Sequence, residues 1–246
     1  MGNEPRWINR CIGTKNMISV LIVCKQVDDN LIRTIKSVEP LKPQILVDIS
    51  ESDEPLGIRK NRLIRAAAND WVLILDTDET VSVELRKDLI GYRELNDVNI
   101  HGFSIDYQNY IFGIPVYFGG EQYSRNQFFN KSYGEFTPSL IHEHPIIKGN
   151  VGHLKGVIHH YSYVSLSQVL KKFTKYAWQM AGEKRKVHEG VTLKKLFMYG
   201  PHMVWARAVK DQGWRDGWRG IVIALCFGYM ETLMYWLLLW RNLINR

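Results

Sequence analysis

Five apolar residues, Trp71-Val72-Leu73-Ile74-Leu75, run without a break into Asp76-Thr77-Asp78-Glu79. A short apolar run closed by polar residues is the pattern of a strand buried on both faces. Two similar runs precede it: Ile18–Cys24, rich in β-branched residues, and Ile45-Leu46-Val47-Asp48, which ends in an acid. Between the runs the period changes. Asp28 or Asp29 can cap a helix with Leu31, Ile32, Ile35 and Val38 on its inner face, until Pro40 and Pro43 stop it. Gly57 to Asn69 predicts a second helix carrying Ile58, Ile64, Ala67 and Ala68. A third starts near Ser82 with Leu85, Leu89 and Ile90 inward. Strands separated by helix-length segments make β-α-β-α-β, hence a parallel sheet with right-handed crossovers. Ligands of such sheets sit beyond the carboxyl ends of the strands, where Asp48, Asp53, Asp76 and Asp78 all fall.

The pattern then loosens. His101–Asp106 and Ile111–Phe118 predict short strands, interrupted by Gly113, Gly119, Gly120, Gly134 and Gly149, in an antiparallel or mixed extension of the sheet with long loops. From Ser165 the chain turns helical, with Leu166, Val169, Leu170, Phe173, Tyr176 and Met180 at helical spacing and Lys171, Lys172 and Lys175 on the flanks. Leu193–Val209 interleaves Lys194, Lys195 and Arg207 with Phe197, Met198, Tyr199, Met203 and Trp205. That mixture suits either a membrane interface or packing on the main domain. Ile221–Trp240 holds 20 residues and a single charge, Glu231. Its length just suffices to cross a hydrocarbon core, but a carboxylate at mid-span is expensive. Trp236 and Trp240 lean toward an interface. The pattern favours a membrane-embedded or re-entrant hairpin over a crossing helix. A buried soluble helix is the third option, weakened by the lack of a partner helix of comparable apolarity.

Composition sharpens this division. The 246 residues carry a net charge of +7, but 15 Lys+Arg and 5 Asp+Glu lie from residue 151 onward, leaving 17 basic and 20 acidic before it. The basicity therefore belongs to the C-terminal part. We expect an extension of no assigned role at 1–17, an α/β catalytic domain at 18–164 and a helical, basic, membrane-associated region at 165–246. No secretory-signal pattern opens the chain. Cys11, Cys24 and Cys226 are odd in number and far apart, which fits a reducing compartment and no disulfide framework. The basic residues alternate with an apolar stretch too long for nucleic-acid binding.

Candidate chemistry concentrates at the acids. Alternation along a strand puts Asp76 and Asp78 on one side, at its end. They are either oxygen ligands for a hard cation such as Mg²⁺ or Mn²⁺, or residues that end a strand and cap the next helix. His142-Glu143-His144 lacks the helical spacing of a zinc-protease motif. Glu143 there is a structural carboxylate, part of a plain loop, or a general base tuned by its neighbours.

Taken together these residues resemble a family 2 glycosyltransferase of the GT-A fold. Ser19-Val20-Leu21-Ile22-Val23-Cys24-Lys25, Val47-Asp48-Ile49-Ser50-Glu51-Ser52-Asp53, Arg59-Lys60-Asn61 and Asn69 through Glu79 match its opening motifs. Ile141-His142-Glu143 and His160-Tyr161-Ser162-Tyr163 with Ser165-Leu166 are similar to the lipopolysaccharide-core β-glucosyltransferase subgroup. Gln26-Val27-Asp28, Ile49-Ser50-Glu51 within the second motif, and the stretch Gly119–Asn130 depart from the family pattern.

The resemblance implies a Rossmann-like mixed sheet with helices on both faces, a UDP-sugar donor, Mg²⁺ or Mn²⁺, and a lipid-linked glycan acceptor. It places the work at an anionic membrane surface, on the cytoplasmic face of the inner membrane. Asp48 would bind the uracil, with Lys25 and Asp53 near the nucleotide. Arg59 and Asn61 would contact the diphosphate or donor sugar, Asp76 the ribose or sugar, and Asp78 the cation. Glu143 would be the base of an inverting transfer. Two rival readings remain: a non-catalytic membrane-surface binding protein, and a nucleotidyltransferase with a related α/β domain.

Overall fold

The computed structural model describes residues 6–10, 18–51, 54–92, 99–137 and 144–244. The chain divides into two compact units: residues 1–107 with 123–160, and residues 108–122 with 161–246.

The first unit is built on three parallel strands. β2 (Ser19–Cys24) is buried throughout and lies between β3 (Gln44–Ile49) and β4 (Trp71–Asp76). The register pairs Val23 with Asp48 on one side and with Asp76 on the other. Both acids thus reach the carboxyl edge at one level. Strand alternation sorts the apolar residues onto two faces. Val20, Ile22, Val47, Leu73 and Leu75 share a core with Leu31 and Val38 of helix α1 (Asp29–Val38) and with Leu85 and Leu89 of α3 (Val83–Gly91). Leu21, Val23, Leu46, Val72 and Ile74 join Leu63 and Ile64 of α2 (Leu56–Ala66) on the other face. The result is mixed α/β with helices on both sides.

The sheet extends beyond β4 through antiparallel β8 (Tyr123–Asn130), then β6 (Ile100–Ile111), β11 (Asn150–Tyr163) and β5 (Glu79–Val81). At the opposite edge β1 (Arg6–Arg10) adds antiparallel to β3, inside the stretch for which the sequence suggested no role. α3 approaches β11 closely. A Cβ at Gly156 would meet the Leu85 backbone nitrogen at 2.1 Å, so only glycine fits there. β9 (Gly134–Phe136) and β10 (Pro145–Ile147) form a separate two-stranded ribbon.

Several inward positions differ from expectation. In α1 the buried stripe is Leu31, Thr34 and Val38, while Ile32 is exposed. Thr34 goes inward because its hydroxyl donates to the carbonyls of Thr77 and Glu79, at 2.9 and 2.6 Å, bracing the turn after β4. Ile90 is exposed because Leu85 and Leu89 already fill the inner face of α3. Residues 114–115 alone form the short strand β7, against the longer 111–118 expected.

The second unit is helical. α4 (Leu166–Lys186) buries Val169, Phe173, Ala177 and Ala181, not Leu166, Leu170 or Tyr176. α5 (Leu193–Trp205) and α6 (Trp218–Ile244) cross at two glycines: a Cβ at Gly200 would strike Thr232, and one at Gly228 would strike Val204. α4 and α5 both pack on α6, so the long apolar helix has the partners that the sequence did not reveal. Among the described residues it is the one helix long and apolar enough to cross a membrane by length and composition.

Candidate active site

The carboxyl ends of β2, β3 and β4 open into a cavity of about 370 Å³, lined by Cys24, Lys25, Gln26, Asp28, Glu51 and Thr77. That volume is in the range of small-ligand sites. Lys25, Gln26 and Glu51 are exposed, so cation, amide and carboxylate are all offered to a ligand.

Two acids at this edge have opposite surroundings. Asp48 is 0% exposed and its carboxylate accepts from Arg59, Nε to Oδ2 at 3.0 Å and Nη2 to Oδ1 at 3.1 Å. Arg59, 2% exposed, also donates to the carbonyl of Cys24 at 3.0 Å, and Arg62 lies 3.8 Å from Asp48. A buried carboxylate needs such a partner, and the planar guanidinium supplies two donors at once. In this arrangement the pair is the floor beneath the cavity, and direct contact with a ligand is closed to both residues. Asn61 is likewise engaged, bonding the backbone N–H and C=O of Phe136 at 2.8 Å each. It ties α2 to the β9–β10 ribbon. Neither Arg59 nor Asn61 stands as the free donor to diphosphate or sugar that the sequence suggested.

The end of β4 is different. Lys60, the neighbour of Arg59 on α2, is 2% exposed and reaches Asp76 Oδ1 at 3.1 Å. Asp78 Oδ2 lies 3.5 Å from His160 Nε2, and both Asp76 and Asp78 are about one-third exposed. Glu79 is buried on β5, directly across from His160 on β11. Its Oε2 accepts from the Asp76 N–H at 3.0 Å, and its Oε1 has no hydrogen-bond partner among the described residues. Burial first, and then the charge of Asp76, push its pKa up to about 7, against the pull of His160; Asp78 adds to the rise.

A polar wall continues from His160. Its Nδ1 lies 3.2 Å from the Tyr123 hydroxyl, and Gln127 donates to the Tyr107 hydroxyl at 3.0 Å. Burial, helped by the charge of Glu79, holds the Tyr107 phenol well above its ordinary range. The Arg125 guanidinium stacks over Tyr107 and Tyr123 at 5.5 and 5.0 Å.

The residues therefore group as follows. Lys25, Asp48, Arg59, Asp76 and Asp78 gather at one sheet edge. Asp53 and Glu143 lie outside the described residues. Where β9 and β10 meet the undescribed stretch, the Thr137 N–H donates to the His144 carbonyl at 3.1 Å. Lys60, Glu79, Tyr123, Arg125 and His160 went unassigned from sequence, although Lys60, Glu79 and His160 fall inside the quoted motifs. Their adjacency was the missing signal, since β5 and β11 are far apart in the chain.

Among the described residues no cluster of three His, Cys, Asp or Glu has the arrangement of a complete metal site. The donor set nevertheless suits a hard cation that keeps waters and phosphate oxygens. Asp76 and Asp78 are partly open oxygen donors, and the buried Glu79 beside them keeps one oxygen, Oε1, without a hydrogen-bond partner among the described residues.

No family model matches the chain. It is similar to a protein named uncharacterized glycosyltransferase from Rickettsia typhi, 24% identical over 224 residues, with 76% of this chain and 74% of the relative covered. A like-named protein of Rickettsia prowazekii matches with the same identity and coverage. In sequence the chain is thus glycosyltransferase-like. Among solved structures, S. aureus TarS 1–349 covers 94% of this chain and 92% of its own at 10% identity, with a TM-score of 0.36. Its UDP complex gives 0.35 at the same identity. The likeness is slight.

Proposed function

We propose that the chain is an inverting, metal-dependent glycosyltransferase that moves a hexose from a UDP-sugar to a lipid-anchored glycan. The acceptor class would be a lipopolysaccharide core or a polyprenyl-linked saccharide, met at the cytoplasmic face of the membrane. The observation that carries this reading is the cavity at the carboxyl ends of three parallel strands, with the carboxylates Asp76 and Asp78 at the end of one of them. Similarity to the two Rickettsia proteins supports the same class.

In this reading Lys25 and Asp53 lie beside the nucleotide, while Asp48, locked by Arg59, supports the floor under the base. Asp76, held in place by Lys60, faces the ribose or the donor sugar. Asp78, with Asp76, would hold Mg²⁺ or Mn²⁺, which when bound neutralises charge on the departing diphosphate. Glu143 takes the proton of the acceptor hydroxyl. That oxygen bonds to the anomeric carbon from the face opposite the leaving group, and the broken C–O bond leaves its electron pair on UDP. Asn61 holds the ribbon of β9 and β10, the strands between which Glu143 falls in sequence.

The test is release of UDP from a panel of UDP-sugars with Mn²⁺ or Mg²⁺. Asp78→Asn and Glu143→Gln should each lower the rate by about 10²-fold or more while unfolding like the parent chain. Pyrophosphate as product would replace this reading with a nucleotidyltransferase. Full activity in both variants would remove the roles given to Asp78 and Glu143, and no release of UDP from any donor by the parent would remove the reading in favour of a binding protein.

A further inference from the structure

We propose that the helical unit docks on an anionic bilayer with α6 lying along the membrane interface, not across the bilayer. Vesicle binding needs no turnover, so this stands independently of the catalytic reading. The first observation is a stripe. Leu225, Tyr229, Trp236 and Trp240 are 53, 42, 44 and 50% exposed and follow one face of the helix. Neighbouring helices widen the stripe. Phe197 of α5, 58% exposed, meets the Trp236 ring at 5.9 Å, and Trp178 of α4, 48% exposed, meets the Trp240 ring at 6.2 Å. Three aromatic-rich helix faces therefore adjoin at one surface. An apolar patch of this kind on a soluble chain marks an interaction site.

The second observation decides the orientation. Glu189 is ion-paired to Lys184 at 2.7 Å and to Lys195 at 2.8 Å. Both ammonium groups lie over the ring of Tyr235, at 5.5 and 5.7 Å. Tyr235 sits near the middle of α6, on a face roughly a third of a turn from the stripe. A crossing helix would carry these three ions, and Glu231 beside them, toward the hydrocarbon centre, where each is expensive. A helix in the interface avoids this: the stripe enters the acyl boundary and the ions stay at headgroup depth or above.

Charge names the lipid. Residues 161–246 contain 14 Lys+Arg and 5 Asp+Glu. Lys171 and Lys175 on α4 and Lys194 on α5 are exposed on the helices that flank the stripe. Tryptophan rings with cations around them are the signature of a surface that meets anionic headgroups. Arg241 stacked on Trp178 at 4.0 Å repeats the pairing on a small scale.

The experiment mixes the full-length chain with vesicles of phosphatidylcholine alone, or with about one-third phosphatidylglycerol, and reads co-sedimentation. The anionic vesicles should bind at least about tenfold more chain than the neutral ones, and high salt should reduce the difference. Leu225→Glu combined with Trp236→Glu should lower binding by about tenfold or more, with unchanged circular dichroism. Tryptophan quenching by brominated lipids should be strongest for shallow bromine positions, and alkaline carbonate should release the chain. Should the double variant misfold, the quenching depth of the parent chain decides alone. Deep quenching with carbonate resistance means that α6 crosses, and overturns the proposal. So does an absence of vesicle binding, binding untouched by the double variant, or a vesicle-free dimer that the same variant dissociates.

Discussion

Asp48 and Asp76 end the two strands that flank β2, on either side of Val23, at the same level and both toward α2, yet they live in different electrostatic worlds. Asp48 is sealed, with the Arg59 guanidinium donating to both its oxygens and no exposed surface. Asp76 has one buried ammonium, Lys60, and shares its neighbourhood with Asp78 and Glu79. Consecutive residues of one helix, Arg59 and Lys60, supply both cations. The difference lies in what else is present. Where charge is matched inside the protein, the ion pair is architecture. Where acids stay partly open at the mouth of a strand, as Asp76 and Asp78 do, their oxygens remain available to a cation from outside. Three substitutions would break or sharpen this contrast.

The largest effect belongs to the sealed side. Arg59→Met leaves a fully buried carboxylate facing apolar atoms and strands the carbonyl of Cys24. Removing one partner of a buried pair costs about 3–5 kcal/mol, against a total stability on the order of 5–15 kcal/mol for a domain. Urea unfolding should show that loss. Adding Asp48→Leu to the same chain should recover most of it, because an apolar pair of similar volume needs no compensation. If Arg59→Met unfolds within about 1 kcal/mol of the parent chain, Asp48 is not the strut described above.

The open side should behave in the opposite sense. Glu79 has its pKa pushed up to about 7, by burial and then by Asp76, from an unfolded value near 4.5. Between those pH values the folded state holds a proton that the unfolded state has lost, so stability falls as pH rises through that window. The contribution is fully present below about 4.5 and gone above about 7. Glu79→Gln removes the titration and keeps an acceptor for the Asp76 N–H. Without divalent cations, the variant should therefore be more stable than the parent at pH 8, by up to about 3 kcal/mol, and equal to it near pH 4.5. Thermal unfolding of both chains across that range is the measurement. A variant less stable than the parent at pH 8 would contradict a Glu79 carboxylate whose charge is costly where it is buried.

This contrast shows what a sequence can and cannot say. Trp71–Asp76 announced itself as a doubly buried strand because its apolar run is local and unbroken, and the sheet edge followed from parallel-strand logic. Whether Asp48 or Asp76 would be open depended on α2, where Arg59 and Lys60 look alike in sequence. Their targets are fixed by a rotation of about 100° between successive helical residues. Glu79 was visible as a carboxylate but not as a strand residue, because β5 has three residues and pairs with β11, nearly eighty positions away. His160 was visible in its motif for the same reason it could not be placed. The buried Thr34, in the stripe where Ile32 or Ile35 looked the better candidates, answers to two carbonyls that only the folded turn creates. In the helical unit, small residues at Gly200 and Gly228 concealed the partners of α6, since close packing of backbones leaves no apolar signature.

The smallest effect on stability, and the finest test of the open side, is Lys25→Ala. Lys25 is exposed at the end of β2 and lines the cavity beside Thr77. Substitutions at such positions stay within about 0.5 kcal/mol, so the melting temperature of the ligand-free chain should not move beyond a degree or two. Ligand response should change instead. A nucleotide that binds only the folded state raises its stability by an amount set by the ratio of concentration to dissociation constant. An exposed ammonium on a phosphate contributes about 1–2 kcal/mol, so UDP with Mn²⁺ should bind the variant about tenfold more weakly. Its thermal shift at fixed UDP should shrink accordingly, while Lys42→Ala, on the far side of α1 and away from the cavity lining, keeps the full shift. Equal shifts in the parent chain and Lys25→Ala would mean that the cavity at the strand ends does not receive the diphosphate.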